Sequence, residues 1–282
     1  MRFLDGFAPL IGAYDGFIVD LWGVIHDGVT PYPGSKETLE AISAAGKTVV
    51  LLSNAPRPSY SAQLALRAMG LGDELYTGIM TSGEATRQAL IRRDDAWFAA
   101  LGRKVLHIGP ERDRVTLDGL DVELVAEPHQ AEFIVNTGPD ETLSVELVAY
   151  EALLQACRSA GLPMICANPD LEVIRGGQRV ICAGALAQRY EELGGDVRNF
   201  GKPDAAIYRP VLEMLGVPAS RVLAVGDALR TDIAGAKAAG VDACWVLGGI
   251  HGAELGHDEA RIEAAAASAG LSPVACVPAF RL

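Results

Sequence analysis

Short, wholly apolar runs alternate with amphipathic stretches along most of this chain. Phe17-Ile18-Val19 and the segment TVVLLSN are continuous apolar blocks, as strands buried on both faces should be, and they predict strands over 17–22 and 48–53. Helix patterns follow each, over 34–46 and 58–69; in the first, Pro33 and Ser35 stand near the start and Gly46 past the end. The last third repeats the alternation: VRNFGK reads as a strand, DAAIYRPVLEMLG as a helix, RVLAVGD as a strand, TDIAGAKAAG as a helix and DACWVLGG as a strand. The middle is of the same kind, with strands at KVLHIGP, AEFIVNTG and PMICAN and helices over 143–160 and 183–193. Strand-then-helix alternation is the signature of parallel sheet crossed over by helices, so the fold class is α/β with a three-layer, Rossmann-like core. No short-period repeat or low-complexity tract interrupts the pattern, and EAAAASAG (263–270) is an alanine-rich helix end.

The polar residues that close the strands carry the chemistry. FIVD ends in Asp20, VVLLSN in Ser53 and Asn54, NFGK in Lys202, and VLAVGD in Asp227 with Asp232 five residues on. In an open parallel sheet all carboxyl ends face one way and ligands bind in the crevice outside them. Two or three carboxylates suit Mg²⁺, a hard ion that prefers oxygen. A serine and a lysine suit phosphate oxygens, and one acid is then free to attack phosphorus and form an aspartyl-phosphate. Each residue alone has a plainer role: a strand-end Asp often caps the next helix, as Thr231 or Asp232 would. The ordered set points to a site far more strongly than any member.

Composition narrows the partners. The chain has 282 residues, half of them hydrophobic, enough for one large or two modest domains. A formal charge of -12 with no long basic cluster argues against nucleic acid, though not against a small phosphorylated metabolite at a locally positive site. Five cysteines without a CxxC pair point to a reducing compartment, with Cys182 and Cys276 as plain core thiols. Asp5 and Asp15 break the N-terminal apolar stretch, so no signal peptide is expected. No apolar run reaches membrane-spanning length. The expectation is a cytoplasmic protein without membrane partners; a homodimer is left open.

Taken in order, Asp20 with WGVIHDG, then LLSNAPRP, FGKPDAAIY and VGDALRTDIAGAKAAG resemble the four motifs of the haloacid dehalogenase superfamily, most closely its class IIA phosphatases. ANPDLEV (167–173) and CAGALAQ (182–188) also resemble that class near its cap–core junction. The resemblance implies a large α/β cap inserted between the second and third motifs: a core of residues 1–82 plus 186–282 and a cap of 83–185. It implies Asp20 as nucleophile and Mg²⁺ ligand, with the backbone carbonyl of Trp22 and the carboxylates of Asp227 and Asp232 completing the metal set. Ser53 and Asn54 would bind the transferring phosphoryl group, and Lys202 would neutralise charge between it and Asp20.

The first motif departs from the pattern. Active phosphatases of the superfamily usually carry a second Asp where this chain has Trp22, and an indole neither gives nor takes a proton. General acid–base help is typically worth about 10²–10⁴-fold, so its loss slows an enzyme without erasing its chemistry. His26 is a substitute acid, or else HDG is only a turn, for which Asp27-Gly28 is good chemistry. Trp22 is a wall against an aromatic or apolar substrate, or a core tryptophan beneath the cap. Asn168, Asp170 and Arg175 are the polar candidates near the entrance, Arg175 either reaching an anion or lying on the surface; His107, His129, His251 and His257 show no metal spacing. The expected function is Mg²⁺-dependent hydrolysis of a small phosphate ester. The alternatives are a phosphometabolite-binding protein that has lost turnover and an aspartyl-phosphate signalling receiver, against which the length and the insertion argue.

Overall fold

In the computed structural model, residues 1–140, 142, 144–175, 178–250, 256 and 258–282 are described, without the side chains of Arg175 and Gln178. Fourteen strands follow in chain order: β1 (Arg2–Phe3), β2 (Gly16–Val19), β3 (Thr48–Ser53), β4 (Gly78–Thr81), β5 (Lys104–Ile108), β6 (Glu123–Val125), β7 (Phe133–Asn136), β8 (Met164–Cys166), β9 (Glu172–Arg175), β10 (Gln178–Ile181), β11 (Val197–Asn199), β12 (Val222–Gly226), β13 (Asp242–Val246) and β14 (Ala275–Val277). Seven form one sheet in the order β1-β14-β13-β12-β2-β3-β4, and every pairing in it is parallel. Five form a second sheet, β11-β8-β7-β5-β6, again all parallel. β9 and β10 pair antiparallel as a hairpin.

Wholly apolar strands need cover on both faces, and the first sheet has it. Phe17, Val19, Val49 and Leu51 pack with Leu39, Ile42 and Leu66 of the helices Ser35–Ala44 and Ser59–Ala68. The alternate residues Ile18, Val50 and Leu52 pack the other way, against Ile207, Tyr208 and Val211 of the helix Ala205–Leu215 and against Ile262 and Ala266 of the helix Glu259–Ser268. Each fully buried Val, Leu or Ile contributes about 1.5–3 kcal/mol over its exposed state. The second sheet is layered likewise, between the helices Glu151–Ser159 and Ala183–Glu192 on one face and Ser82–Arg92 on the other.

Two expectations need correction. NFGK is not a strand of the first sheet: Val197–Asn199 pairs with Met164–Cys166 of the second, and Phe200 packs against that sheet's apolar cluster. Lys202 stands where the chain crosses back. Leu186, Ala187 and Tyr190 are buried among second-sheet residues. A three-residue strand carries no mark of which sheet it joins. The helix expected over 143–160 is shorter, a 3-10 turn at Leu147–Tyr150 running into Glu151–Ser159. Residue 143, where that helix was expected to begin, lies outside the described residues; the Tyr150 hydroxyl accepts the Asp140 N–H at 2.6 Å and donates to the Ser144 carbonyl at 2.9 Å. Among the described residues no helix is long and apolar enough to cross a membrane, and all five cysteines are free and buried.

Candidate active site

β2 lies between β3 and β12, with Val19 in register with both Leu51 and Val225. The chain leaves β2 for β3 and β4 on one side, and returns through β12, β13 and β14 on the other. The carboxyl ends of β2, β3 and β12 therefore diverge at a topological switch point, the place where such sheets leave a crevice. Asp20, Ser53 and Asp227 each stand at one of these ends, and all three are buried. The second sheet points its own carboxyl ends back at the first. The segment after β8 delivers Asp170, and the segment after β11 delivers Lys202. The two sets meet in a cavity of about 290 Å³ lined by Asp20, Ser53, Lys202, Asp227 and Asp232 among others.

Lys202 is the hub. Its Nζ lies 2.7 Å from Asp20 Oδ1 and 2.7 Å from Asp232 Oδ1, and donates to the Leu52 carbonyl at 3.1 Å. All three ammonium protons are thus engaged. Burial alone would lower the Lys202 pKa, but Asp20 and Asp232 outweigh it and hold the group charged. Burial raises Asp20 well above the usual carboxylate range, although Lys202 pulls it down. Burial and then the neighbouring Asp232 push Asp227 up to about 7. Asp227 Oδ2 accepts the Ile250 N–H at 2.7 Å, and its own carbonyl accepts the Trp245 indole N–H at 2.9 Å. Asp232 Oδ2 accepts the Ala228 N–H at 3.0 Å. One oxygen from each of Asp20, Asp227 and Asp232 lies within 4.8 Å of the others. Three buried carboxylates against one ammonium leave excess negative charge in a dry site, and such a donor set fits a hard divalent cation. Among the described residues no donor reaches Asp227 Oδ1, whereas both oxygens of Asp232 are engaged. The loop after Asp20 hugs the cluster: Gly23 has φ +84°, and a Cβ there would collide with the Asp227 carboxylate.

Asn54 is engaged on all sides within the protein. Its Nδ2 donates to Asp170 Oδ1 at 3.0 Å and to the Lys202 carbonyl at 3.1 Å, while Oδ1 accepts the Lys202 N–H at 2.8 Å and the Ser82 hydroxyl at 3.2 Å. The side chain is a rivet between the two sheets, with both amide N–H groups engaged. Ser53 is freer: its Oγ accepts the Ala55 N–H at 3.2 Å, and its proton has no partner among the described residues.

Trp22 is neither a core residue nor loose. Its indole N–H donates to the Ile174 carbonyl of β9 at 3.0 Å. Its ring meets His26 edge-on at 5.9 Å between centroids and covers Gly28, where a Cβ would strike it. The side chain walls the cavity and ties the hairpin to the first sheet. His26 is buried, accepts the Gly28 N–H at Nδ1 at 3.0 Å, and has a pKa lowered by burial. HDG is a turn, Asp27 Oδ1 accepting the N–H groups of Val29 and Thr30; His26 nonetheless lines the cavity. Asn168 and Asp170 line it too, and burial raises the Asp170 pKa. Arg175 ends β9, its side chain outside the described part of the structure; His251 and His257 lie outside the described residues. Sequence reasoning missed Ser82, whose signal was available as a hydroxyl directly after β4. It also missed Tyr32, Met69 and Ile174, which line the cavity without any sequence mark.

Fold and site define an α/β hydrolase whose charged centre sits in the seam between two parallel sheets. The chain belongs to the haloacid dehalogenase-like hydrolases: residues 17–123 match the model described as haloacid dehalogenase-like hydrolase, and residues 199–271 match a HAD-hydrolase-like model. It is 30% identical over 241 residues to the ribonucleotide monophosphatase NagD of Escherichia coli (strain K12), spanning 83% of this chain and 87% of that one. A haloacid dehalogenase-like hydrolase from Brucella suis 1330 superposes with a TM-score of 0.84 at 36% identity, covering 98% of this chain and 99% of that one. A p-nitrophenyl phosphatase from Archaeoglobus fulgidus superposes at 0.72 with 27% identity, covering 95% and 97%.

Proposed function

We propose that this protein is a Mg²⁺-dependent phosphatase of a small phosphate ester, working through a phosphorylated Asp20. One observation carries this: Asp20 sits buried beside a charged Lys202 at 2.7 Å, with two further carboxylates within reach of one cation. The phosphatase names of the relatives support it. The first sheet would act as the catalytic core and the second, with the β9–β10 hairpin, as the cap, the core running from 1 to about residue 82 and from about 200 to 282.

Asp20, the Trp22 carbonyl and Asp227 would hold Mg²⁺, with Asp232 supporting through Lys202. When bound, the ion supplies positive charge that offsets the phosphate and the carboxylates. The chain's own groups do the rest. Lys202 holds Asp20 Oδ1 in place and, against the upward push of burial, favours its carboxylate form for attack. The Ser53 hydroxyl donates to a phosphoryl oxygen. Asp20 forms a bond to phosphorus while the bond to the ester oxygen breaks, and the alcohol oxygen leaves with the electron pair. Water then attacks the aspartyl-phosphate, its proton passing to solvent or to the departing phosphate, and the Asp20 carboxylate is regenerated. Trp22 offers no proton in either step, so turnover is slow for ester oxygens that leave poorly. The test is inorganic phosphate release from a panel of phosphate esters with Mg²⁺ and with EDTA. Release that needs Mg²⁺ and is abolished by Asp20→Asn supports the function; release unaffected by Asp20→Asn refutes it.

A further inference from the structure

The cavity has two unlike ends. Its floor is the charged cluster. Beyond it the lining includes the aromatic and apolar side chains of Trp22, Tyr32, Met69, Val173 and Ile174, alongside the polar Arg57, Asn168 and Glu172. Trp22 is fixed from several sides, by the Ile174 carbonyl on its N–H, by Gly28 under the ring and by the His26 edge. With that N–H engaged, the indole offers the cavity only flat hydrocarbon surface, which favours stacking with another ring.

Among the described residues, the carboxylates and the imidazole that line the cavity are already hydrogen-bonded or paired within the protein. Asp20 and Asp232 are held by Lys202, Asp227 by the Ile250 N–H, Asp170 by the Asn54 amide and Glu172 by Arg179. His26 accepts the Gly28 N–H at Nδ1, which an imidazolium cannot do, so the ring is neutral and its other nitrogen carries an N–H that donates hydrogen bonds without releasing a proton. A flat apolar chamber and an unassisted leaving oxygen select the same chemistry. Resting on the phosphatase function proposed above, we propose that the physiological substrate class is the phosphate monoester of a phenol, an aryl phosphate small enough for a cavity of about 290 Å³, with Trp22 as the residue that sets this preference. In the first step the Asp20–phosphorus bond forms, the aryl O–P bond breaks, and the phenolate departs with the electron pair, taking its proton from water afterwards. A phenolate is stable enough to leave so; a sugar or glycerol alkoxide is not.

The experiment measures Mg²⁺-dependent phosphate release from phenyl phosphate, cyclohexyl phosphate and glycerol 3-phosphate by the full chain and its Trp22 variants. Cyclohexyl phosphate matches phenyl in size and apolarity but has a basic leaving oxygen. The expected kcat/KM for phenyl phosphate exceeds that for glycerol 3-phosphate by about 100-fold or more, the scale of missing acid assistance, with cyclohexyl phosphate far below phenyl. Trp22→Ala, or Trp22→Leu where the alanine variant fails to fold, should cut the phenyl-to-glycerol ratio by about 10-fold, the scale of a lost apolar contact surface. General damage to the fold would lower both rates together and leave that ratio unchanged. Phenyl and glycerol esters hydrolysed within about 10-fold of each other, a scale one lost pocket contact already spans, or a ratio indifferent to Trp22, would overturn the aryl preference and leave the phosphatase function standing. No phosphate release from any of the three would overturn both.

Discussion

Asn54 shows how much one side chain can hold together. As a strand-end amide beside Ser53 it looks like a phosphate ligand, and its four hydrogen bonds join β3, Lys202, Asp170 and Ser82 across the seam. Asn54→Ala would leave the buried Lys202 N–H without its acceptor, and each such orphan costs about 1–3 kcal/mol. The expected loss is therefore about 3 kcal/mol in urea unfolding, with Lys202 less well placed and phosphate release reduced. A variant as stable as the parent would show that the rivet is redundant. The metal cluster gives a second prediction. Three acids confined to one point repel one another without a cation, so Mg²⁺ should raise Tm by mass action, about 2.7 kcal/mol of stabilisation at 100 times Kd. Asp227→Asn removes a proposed ligand whose Oδ1 meets no donor among the described residues, and should abolish most of that rise. An unchanged response to Mg²⁺ in thermal unfolding would refute the assignment. Asp20, Ser53 and Asp227 stood out in the sequence because buried strands that end in polar residues are conspicuous. The partners of Asn54 did not, since they lie 28 to 148 residues away from it and depend on how the two sheets meet.

At the scale of elements, the long apolar strands of the first sheet were plain because TVVLLS and VLAVG are buried on both faces. The short Val197–Asn199 was not assignable, because three residues give no period and pairing decides its sheet. β5 of the second sheet carries a further consequence. His107 Nε2 lies 2.8 Å from the Thr137 Oγ1, while its Nδ1 is buried without a partner. Burial, and then Arg114, lower its pKa from 6.5 to about 4. The unfolded chain therefore binds this proton more readily between those values. The stability His107 preserves is fully present above pH about 6.5 and is lost as pH falls through about 4. Thermal unfolding of the parent should lose stability on acidification through this window more steeply than His107→Gln. Parallel pH profiles for the two would show that His107 is not the group responsible.

At the scale of the molecule, the two parallel sheets face each other carboxyl end to carboxyl end, and every charged group of the centre comes from one side or the other of that seam. Asp20, Ser53, Asp227 and Asp232 belong to the first sheet's side; Lys202 arrives on the return from the second. The hairpin contributes Ile174, to which Trp22 is bonded at 3.0 Å. Trp22 thus closes the chamber above Asp20, which was not visible in the sequence because Ile174 lies 152 positions away. Losing the acid–base group affects the two chemical steps unequally. With p-nitrophenyl phosphate the first step needs no protonation and proceeds, whereas hydrolysis of the phosphorylated Asp20 needs an activated water whatever the leaving group was. Rapid mixing of the protein with p-nitrophenyl phosphate and Mg²⁺, at enzyme concentrations that resolve one turnover, tests this most directly. The account predicts a burst of p-nitrophenol near one equivalent per Asp20, absent in Asp20→Asn and followed by slow turnover; steady release without a burst, at equal rates for alkyl and aryl esters, would contradict it.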